Sequence, residues 1–376
     1  MKKKILLVTR PIAPPWDEAS KNFAFDLGKK ISSCEDLELH LLTNGEVSEL
    51  PKNVVQEKIY TSSQNDFGLS QKIRLGKFLL FNARKFDVIH LLFTPTKANI
   101  LLMKICLAFS KSKTMQTVAT LREDIFSDET IKKLMFADLV ITYSDYAKNK
   151  LKTLGIKNVE RIYPGIDLEK YKFREKNVEL LGKIGFSMEN FLIHFSGEYV
   201  RLGAMNDVIE SFIRISERMP EARLLMAVRV KNEKDAQKKR QVVAKLKETG
   251  LLEKTAFFDD GKHKMEDIYN LADVSLFPVR NMHGKFDVPL VVVEAMACEK
   301  PVIVSDIPIL EEFTDQKNSV KIPKGDVSAL TEAIIDFHSN SEKGAILGKQ
   351  ARAYVEQNFD IKNVSGQYAE IYNSII

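Results

Sequence analysis

Pro289-Leu290-Val291-Val292-Val293-Glu294-Ala295-Met296-Ala297-Cys298-Glu299-Lys300-Pro301-Val302-Ile303-Val304-Ser305-Asp306 reads as a helix entered through proline, a tight turn and a strand. Proline suits the first helical turn because the N–H it lacks would find no partner there. Val302-Ile303-Val304 is continuously apolar, as strands covered on both faces are. The same pattern recurs outward along the chain. Phe191–Ser196, Arg223–Val228, Thr255–Phe258, Val274–Phe277, Val302–Ser305 and Val320–Ile322 read as strands of the second half. In the first half the strands are Ile5–Thr9, Leu37–Thr43, Val88–Phe93, Met115–Thr120, Leu139–Tyr143 and Val159–Tyr163. Helix-length amphipathic segments separate them. Asn206–Met219 is one, with Val208, Ile209, Phe212, Ile213 and Ile215 near one face. Strand–helix alternation run twice implies an α/β chain with two doubly wound parallel sheets.

A length of 376 residues exceeds what one core usually organises, in keeping with two domains. The join lies where Val159–Tyr163 ends in Pro164-Gly165-Ile166-Asp167 and a charged stretch follows. The expected division is an N-terminal domain of 1–168 with 360–376, a linker at 168–188, and a C-terminal domain of 188–359. The closing segment carries Val364, Tyr368, Ile371, Tyr372 and Ile375 at helical spacing and therefore needs a surface to cover.

Composition narrows the function classes. No apolar stretch reaches the length of a membrane span, and the run after Lys2-Lys3-Lys4 is too short for a secretion signal. Cys34, Cys106 and Cys298 form no CxxC or Cys/His cluster, so a reducing cytoplasm is expected, with neither disulfides nor a structural metal. The net charge of +5 is uneven: Phe67–Thr114 holds Lys72, Arg74, Lys77, Arg84, Lys85, Lys97, Lys104, Lys111 and Lys113 against Asp87 alone. A basic and apolar stretch of this kind suits an anionic surface, and a peripheral position on the inner face of a membrane is the expectation. No aromatic–basic interleaving of a recognised module favours nucleic acid.

Open parallel sheets bind ligands at the carboxyl ends of their strands. After the first strand, a proline-stiffened loop carries Trp16 and leads to Ser20 and Lys21 at a helix start, where a phosphate could be held. No GxGxxG accompanies it, so a dinucleotide fingerprint is absent. His90 interrupts an apolar strand, and Arg122 follows another, beside Glu123 and Asp124. Glu294 sits among apolar neighbours in its helix, where a carboxylate needs hydrogen-bond donors; vicinal ribose hydroxyls would serve.

Asp287–Asp306, with Ser144-Asp145-Tyr146, Pro164-Gly165-Ile166-Asp167 and the closing Asn358–Ile376, resembles glycosyltransferase family 4. The resemblance covers essentially the whole chain. It implies a GT-B fold, two facing Rossmann-like domains with an interdomain cleft, and a terminal helix that returns to the first domain. It also implies a retaining, hexosyltransferase-type enzyme that moves a sugar from a nucleotide-diphospho-sugar to a glycan or lipid-linked acceptor, with no cofactor. Three positions depart from the family. Phe286 stands where the first of two glutamates belongs, with Asp287 beside it. Glu198 and Gly203 stand where an arginine and a lysine usually clamp the donor diphosphate. Arg122 stands where a histidine is common.

The expected catalytic set is Asp287, Arg280, Lys285 and His90; the donor-binding set is Glu294, Arg201, Gly197, Arg229, Lys21, Ser20 and Val291; Trp16 and Arg122 lie on the acceptor side. Arg280 and Lys285 are the preferred replacement cations, because their loop leads directly into the helix of Glu294. The alternatives are a degenerate GT-B protein that binds sugar, nucleotide or a partner without transfer, and a nucleotide-sugar epimerase.

Overall fold

A computed structural model of the chain describes residues 2–14, 18–61 and 67–375. The chain divides into two compact units, Met1–Asp167 with Asn358–Ile376, and Leu168–Gln357.

The first unit is built on seven strands: β1 (Lys3–Ile12), β2 (Leu37–Asn44), β3 (Val55–Tyr60), β4 (Val88–Leu92), β5 (Lys113–Val118), β6 (Leu139–Thr142) and β7 (Val159–Arg161). They lie in the order β3-β2-β1-β4-β5-β6-β7, every pair parallel. Helices α1 (Ala19–Ile31), α2 (Leu69–Asn82), α3 (Lys97–Leu107), α4 (Asp128–Leu134) and α5 (Asp145–Thr153) make the crossovers. β4 is buried along its whole length, which explains why every residue in it but His90 is apolar. β3 is a partly exposed edge strand, and its polar Gln56-Glu57-Lys58 conceals it from a reading by apolar runs.

The second unit has α6 (Val178–Lys183), then β8 (Phe191–Ser196), α7 (Met205–Arg218), β9 (Ala222–Ala227), α8 (Glu233–Glu248), β10 (Thr255–Phe257), α9 (Met265–Leu271), β11 (Val274–Phe277), α10 (Leu290–Ala297), β12 (Val302–Asp306), β13 (Val320–Pro323), α11 (Val327–Ser339) and α12 (Ser341–Asn358). Its six strands run parallel in the order β10-β9-β8-β11-β12-β13. Strand order therefore reverses between β8 and β11, the place where such sheets open a crevice at their carboxyl ends. Residues 168–188, read from sequence as a linker, carry α6, and Leu180, Leu181 and Phe186 belong to a core cluster with Leu192, Leu225 and Ile268.

The tight turn after α10 is held by Glu299 at φ 58°, a left-handed conformation uncommon for a side-chain-bearing residue. Gly348 of α12 lies against it so closely that a Cβ there would stand 2.1 Å from the Glu299 carbonyl oxygen. Gly348→Ala is therefore expected to push α12 off the turn and cost about 1–3 kcal/mol. A urea midpoint equal to that of the unmodified protein would contradict this packing.

The chain ends in α13 (Ile361–Ser374), whose Val364, Tyr368 and Tyr372 are buried in the first unit. The ring of Tyr368 lies 6.1 Å from that of Phe23 on α1. Ile166 N–H donates to the Phe359 carbonyl at 2.8 Å, so the turn after Pro164-Gly165 seats the start of this helix.

Candidate active site

The segment after β8, Gly197-Glu198-Tyr199-Val200-Arg201-Leu202-Gly203, turns sharply into α7. A Cβ at Gly197 would stand 2.7 Å from the Phe195 ring, so the chain leaves the strand in close contact with that side chain. Glu198 is buried, yet its carboxylate is surrounded by cations. Arg201 grips it with Nε, at 2.5 Å from Oε2, and with its terminal nitrogen. Lys231 Nζ lies 3.1 Å from Oε1. Burial pushes the Glu198 carboxyl up, but the Arg201 hydrogen bond and the charges of Lys231 and Lys285 outweigh it and the net shift is downward. Glu198 is thus a carboxylate amid three cations, an arrangement with surplus positive charge.

Lys231 arrives from the loop between β9 and α8. That loop is fixed by the start of α8, where Asn232 Oδ1 accepts from Asp235 N–H at 3.0 Å. Asp235 in turn accepts from the Lys231 backbone N–H at 3.2 Å and from the Asn232 amide at 3.0 Å, a reciprocal cap. An open cavity of about 310 Å³ is lined by Glu198, Val200, Arg201, Lys231, Asn232 and Asp235.

Lys285 reaches the same charges from the loop after β11. Burial pulls its ammonium down to about 8, against the pull of Glu198 and with the repulsion of Lys231 and Arg201. Gly284, next to it, accepts from Arg201 NH1 at 3.0 Å through its carbonyl, which ties the two loops together. Lys285 also interacts with Glu294 on α10, so it links the cation group to that carboxylate. Glu294 is partly buried, and Tyr269 OH donates to its Oε2 at 2.8 Å. Burial raises the Glu294 carboxyl to about 7, opposed by hydrogen bonds from Tyr269 and Tyr171 and by the charges of Lys170 and Lys285. Asp287 is buried just ahead of α10, and Val291 is half-buried in its first turn.

Arg280, expected beside Lys285 as its partner cation, is instead bound to Asp207 on α7: Nε–Oδ2 is 2.9 Å and NH2–Oδ1 is 2.6 Å. Its stem fills the space over Gly203, which stands at φ 77°; a Cβ there would meet Arg280 Cβ at 3.1 Å. A side chain from another loop thereby occupies the room that a side chain at position 203 would take. Arg229 lies half-buried in the loop after β9.

In the first unit His90 lies on β4. It is fully buried, with Nδ1 2.6 Å from Tyr372 OH and Nε2 2.7 Å from Thr117 Oγ1. Burial holds it neutral, with its ionisation pulled down to about 3. His90 thereby joins β4 to β5 and α13. Lys21 is buried at the start of α1, behind a half-buried Ser20. Arg122, at φ 57°, forms a bidentate pair with Asp124 at 2.8 and 3.0 Å. Trp16 lies outside the described residues. Lys231, Tyr269 and Asp207 were not singled out by sequence; only for Lys231 was there a signal, two residues beyond Arg229 in the same post-strand loop.

Two parallel sheets, each of strand order 3-2-1-4-5 extended at one edge, with a polar site at the switch point of the second, define a class. The chain has the GT-B fold. Its residues 178–354 match the family of glycosyl transferases group 1. Among solved structures, HepE of Anabaena in complex with UDP-glucose is 18% identical with a TM-score of 0.78, covering 99% of both chains. Sucrose-phosphate synthase from Thermosynechococcus elongatus is 17% identical with a TM-score of 0.79, covering 100% of this chain and 99% of its own. An uncharacterized glycosyltransferase of Methanocaldococcus jannaschii is 20% identical over 67% of this chain, and the match spans 62% of that relative's length.

Proposed function

We propose that the protein is a retaining glycosyltransferase, transferring a hexosyl group from a nucleoside-diphospho-sugar to a glycan or lipid-linked acceptor. The observation that carries this reading is the gathering of Arg201, Lys231 and Lys285 at the carboxyl ends of β8, β9 and β11. A departing diphosphate gains negative charge as the glycosidic bond breaks, and fixed cations there lower the barrier. Glu294 would accept from the ribose hydroxyls, and Asp287 would approach the transferred sugar. The bound UDP-glucose of HepE, on the same fold, supports a uridine nucleotide as the first donor to try. We assign the acceptor to the first unit, where Arg122 stands just beyond the carboxyl end of β5. The three free thiols fit a reducing compartment.

Glu198 favours a second reading, a nucleotide-binding protein without transfer, because its carboxylate already satisfies two of the cations. Calorimetry with nucleoside diphosphates, followed by a donor-hydrolysis and transfer assay, separates the two. Nucleoside diphosphate is expected to bind, and Glu198→Gln to tighten it about tenfold by releasing Arg201 and Lys231. Binding without turnover of any nucleotide-sugar would favour the second reading. No binding by either form would remove both.

A further inference from the structure

Helices α2 and α3 lie side by side on one face of the first unit's sheet. Leu75 and Leu79 of one and Met103 and Cys106 of the other share a single core cluster. Their ends are joined where Arg84 Nε donates to the Phe109 carbonyl at 3.2 Å. The outward sides of these helices are not the polar surfaces that solvent-facing helices normally show. On α2, Leu69, Ile73, Leu80 and Phe81 stand exposed; on and just after α3, Leu101, Ile105 and Phe109 do the same. Phe81 is 82% and Phe109 79% exposed. Among the described residues, seven of the sixteen exposed large apolar side chains fall in this one stretch.

Cations are interleaved with these side chains: Arg74, Lys77 and Arg84 along and just after α2, Lys97, Lys104 and Lys111 along and just after α3, all exposed. None of the six is paired with a carboxylate among the described residues. Arg84 binds the carbonyl of Phe109, and Lys104 Nζ lies 3.4 Å from the carbonyl of Lys133. The one acid of the stretch, Asp87, is occupied by the backbone N–H of Lys4 at 2.7 Å. An open groove of about 400 Å³ beside Lys104, Lys111 and Lys113 adds room for a phosphate group close to Phe109.

We propose that the outer face of α2 and α3 docks on an anionic lipid bilayer, Phe81 and Phe109 entering the acyl boundary while the surrounding cations meet lipid phosphates. Apolar side chains separated by unpaired lysines and arginines match the headgroup zone of a bilayer, which offers hydrocarbon and diffuse negative charge together. A dry protein interface would be poorer in lysine at its centre. The proposal does not depend on the donor chemistry of the second unit.

The test is co-sedimentation of the full chain with vesicles of phosphatidylcholine alone and of phosphatidylcholine with phosphatidylglycerol. Binding is expected only to the anionic vesicles, and it weakens as salt is raised from about 0.15 to about 1 M, where screening shortens from about 8 to 3 Å. Lys77→Glu with Lys104→Glu should lower partitioning about 30-fold or more, and Phe81→Ser with Phe109→Ser at least about tenfold. All variants should keep the thermal midpoint and the nucleoside diphosphate affinity of the unmodified protein, since these side chains are exposed and lie in the other unit. Equal binding to neutral vesicles, no vesicle binding, or variants that partition unchanged would overturn the proposal. Failure of nucleotide binding with intact partitioning would count against the transferase reading alone.

Discussion

Lys231→Ala is expected to slow sugar transfer about 100-fold while leaving the fold intact. Removing one preorganised stabiliser of developing charge costs roughly 3 kcal/mol of barrier. Lys231 is half in solvent, and Arg201 remains to hold the buried Glu198 when it is gone. Lys285→Met should cost a similar factor, with a further sign. Its ammonium is pulled down to about 8, so it loses its charge as pH rises through that value. Donor affinity should therefore decline between about pH 7 and 9 in the unmodified protein and show no such decline in Lys285→Met. Arg280→Ala should behave differently. It strands the buried Asp207 carboxylate, and its main effect should be a loss of stability on the order of 2–3 kcal/mol. Steady-state kinetics beside urea melts separates the outcomes. If Lys231→Ala and Lys285→Met both retained full turnover, the cation group would not be the diphosphate site.

These contrasts also explain what the sequence disclosed. Most strands betray themselves as short apolar or β-branched runs, so twelve of the thirteen among the described residues were legible; β3 was not, because Gln56-Glu57-Lys58 breaks its run. Lys285 and Glu294 stand out in the sequence because they flank the helix start at Pro289, a local pattern. Lys231 carried only its place two residues beyond Arg229 as a signal, since one lysine resembles another until folding brings it to Glu198 across 33 residues. The surroundings of His90 were hidden for the same cause. Its partner Tyr372 is 282 residues away, and without it a histidine in an apolar strand looks reserved for chemistry. Local signals reveal elements and their caps, whereas a charge's role is decided by what is opposite it.

Glu294 illustrates the cost of such a site and gives the second large effect. Its carboxyl is raised to about 7 in the folded protein against an ordinary value of 4.5. Between those two values the folded state holds a proton that the unfolded chain has released, so stability falls as pH rises and stays low above about 7. The span corresponds to at most about 3 kcal/mol. Glu294→Gln, which cannot ionise, should therefore be more stable than the unmodified protein at pH 8 and no more stable below about pH 4. The same substitution should weaken nucleotide binding at pH 8, because an amide accepts vicinal hydroxyls less strongly than a carboxylate does. Affinity in the unmodified protein should rise through about pH 7 as Glu294 ionises, then fall as Lys285 discharges, and the rising limb should vanish in Glu294→Gln. Thermal melts and calorimetry across pH 4–9 read both quantities. A glutamine variant that gained stability at pH 8 while binding nucleotide undiminished would mean that Glu294 is strained for some purpose other than the donor ribose. One with neither change would mean that its carboxyl ionises in the ordinary range, with Tyr269 and Tyr171 fully compensating its burial.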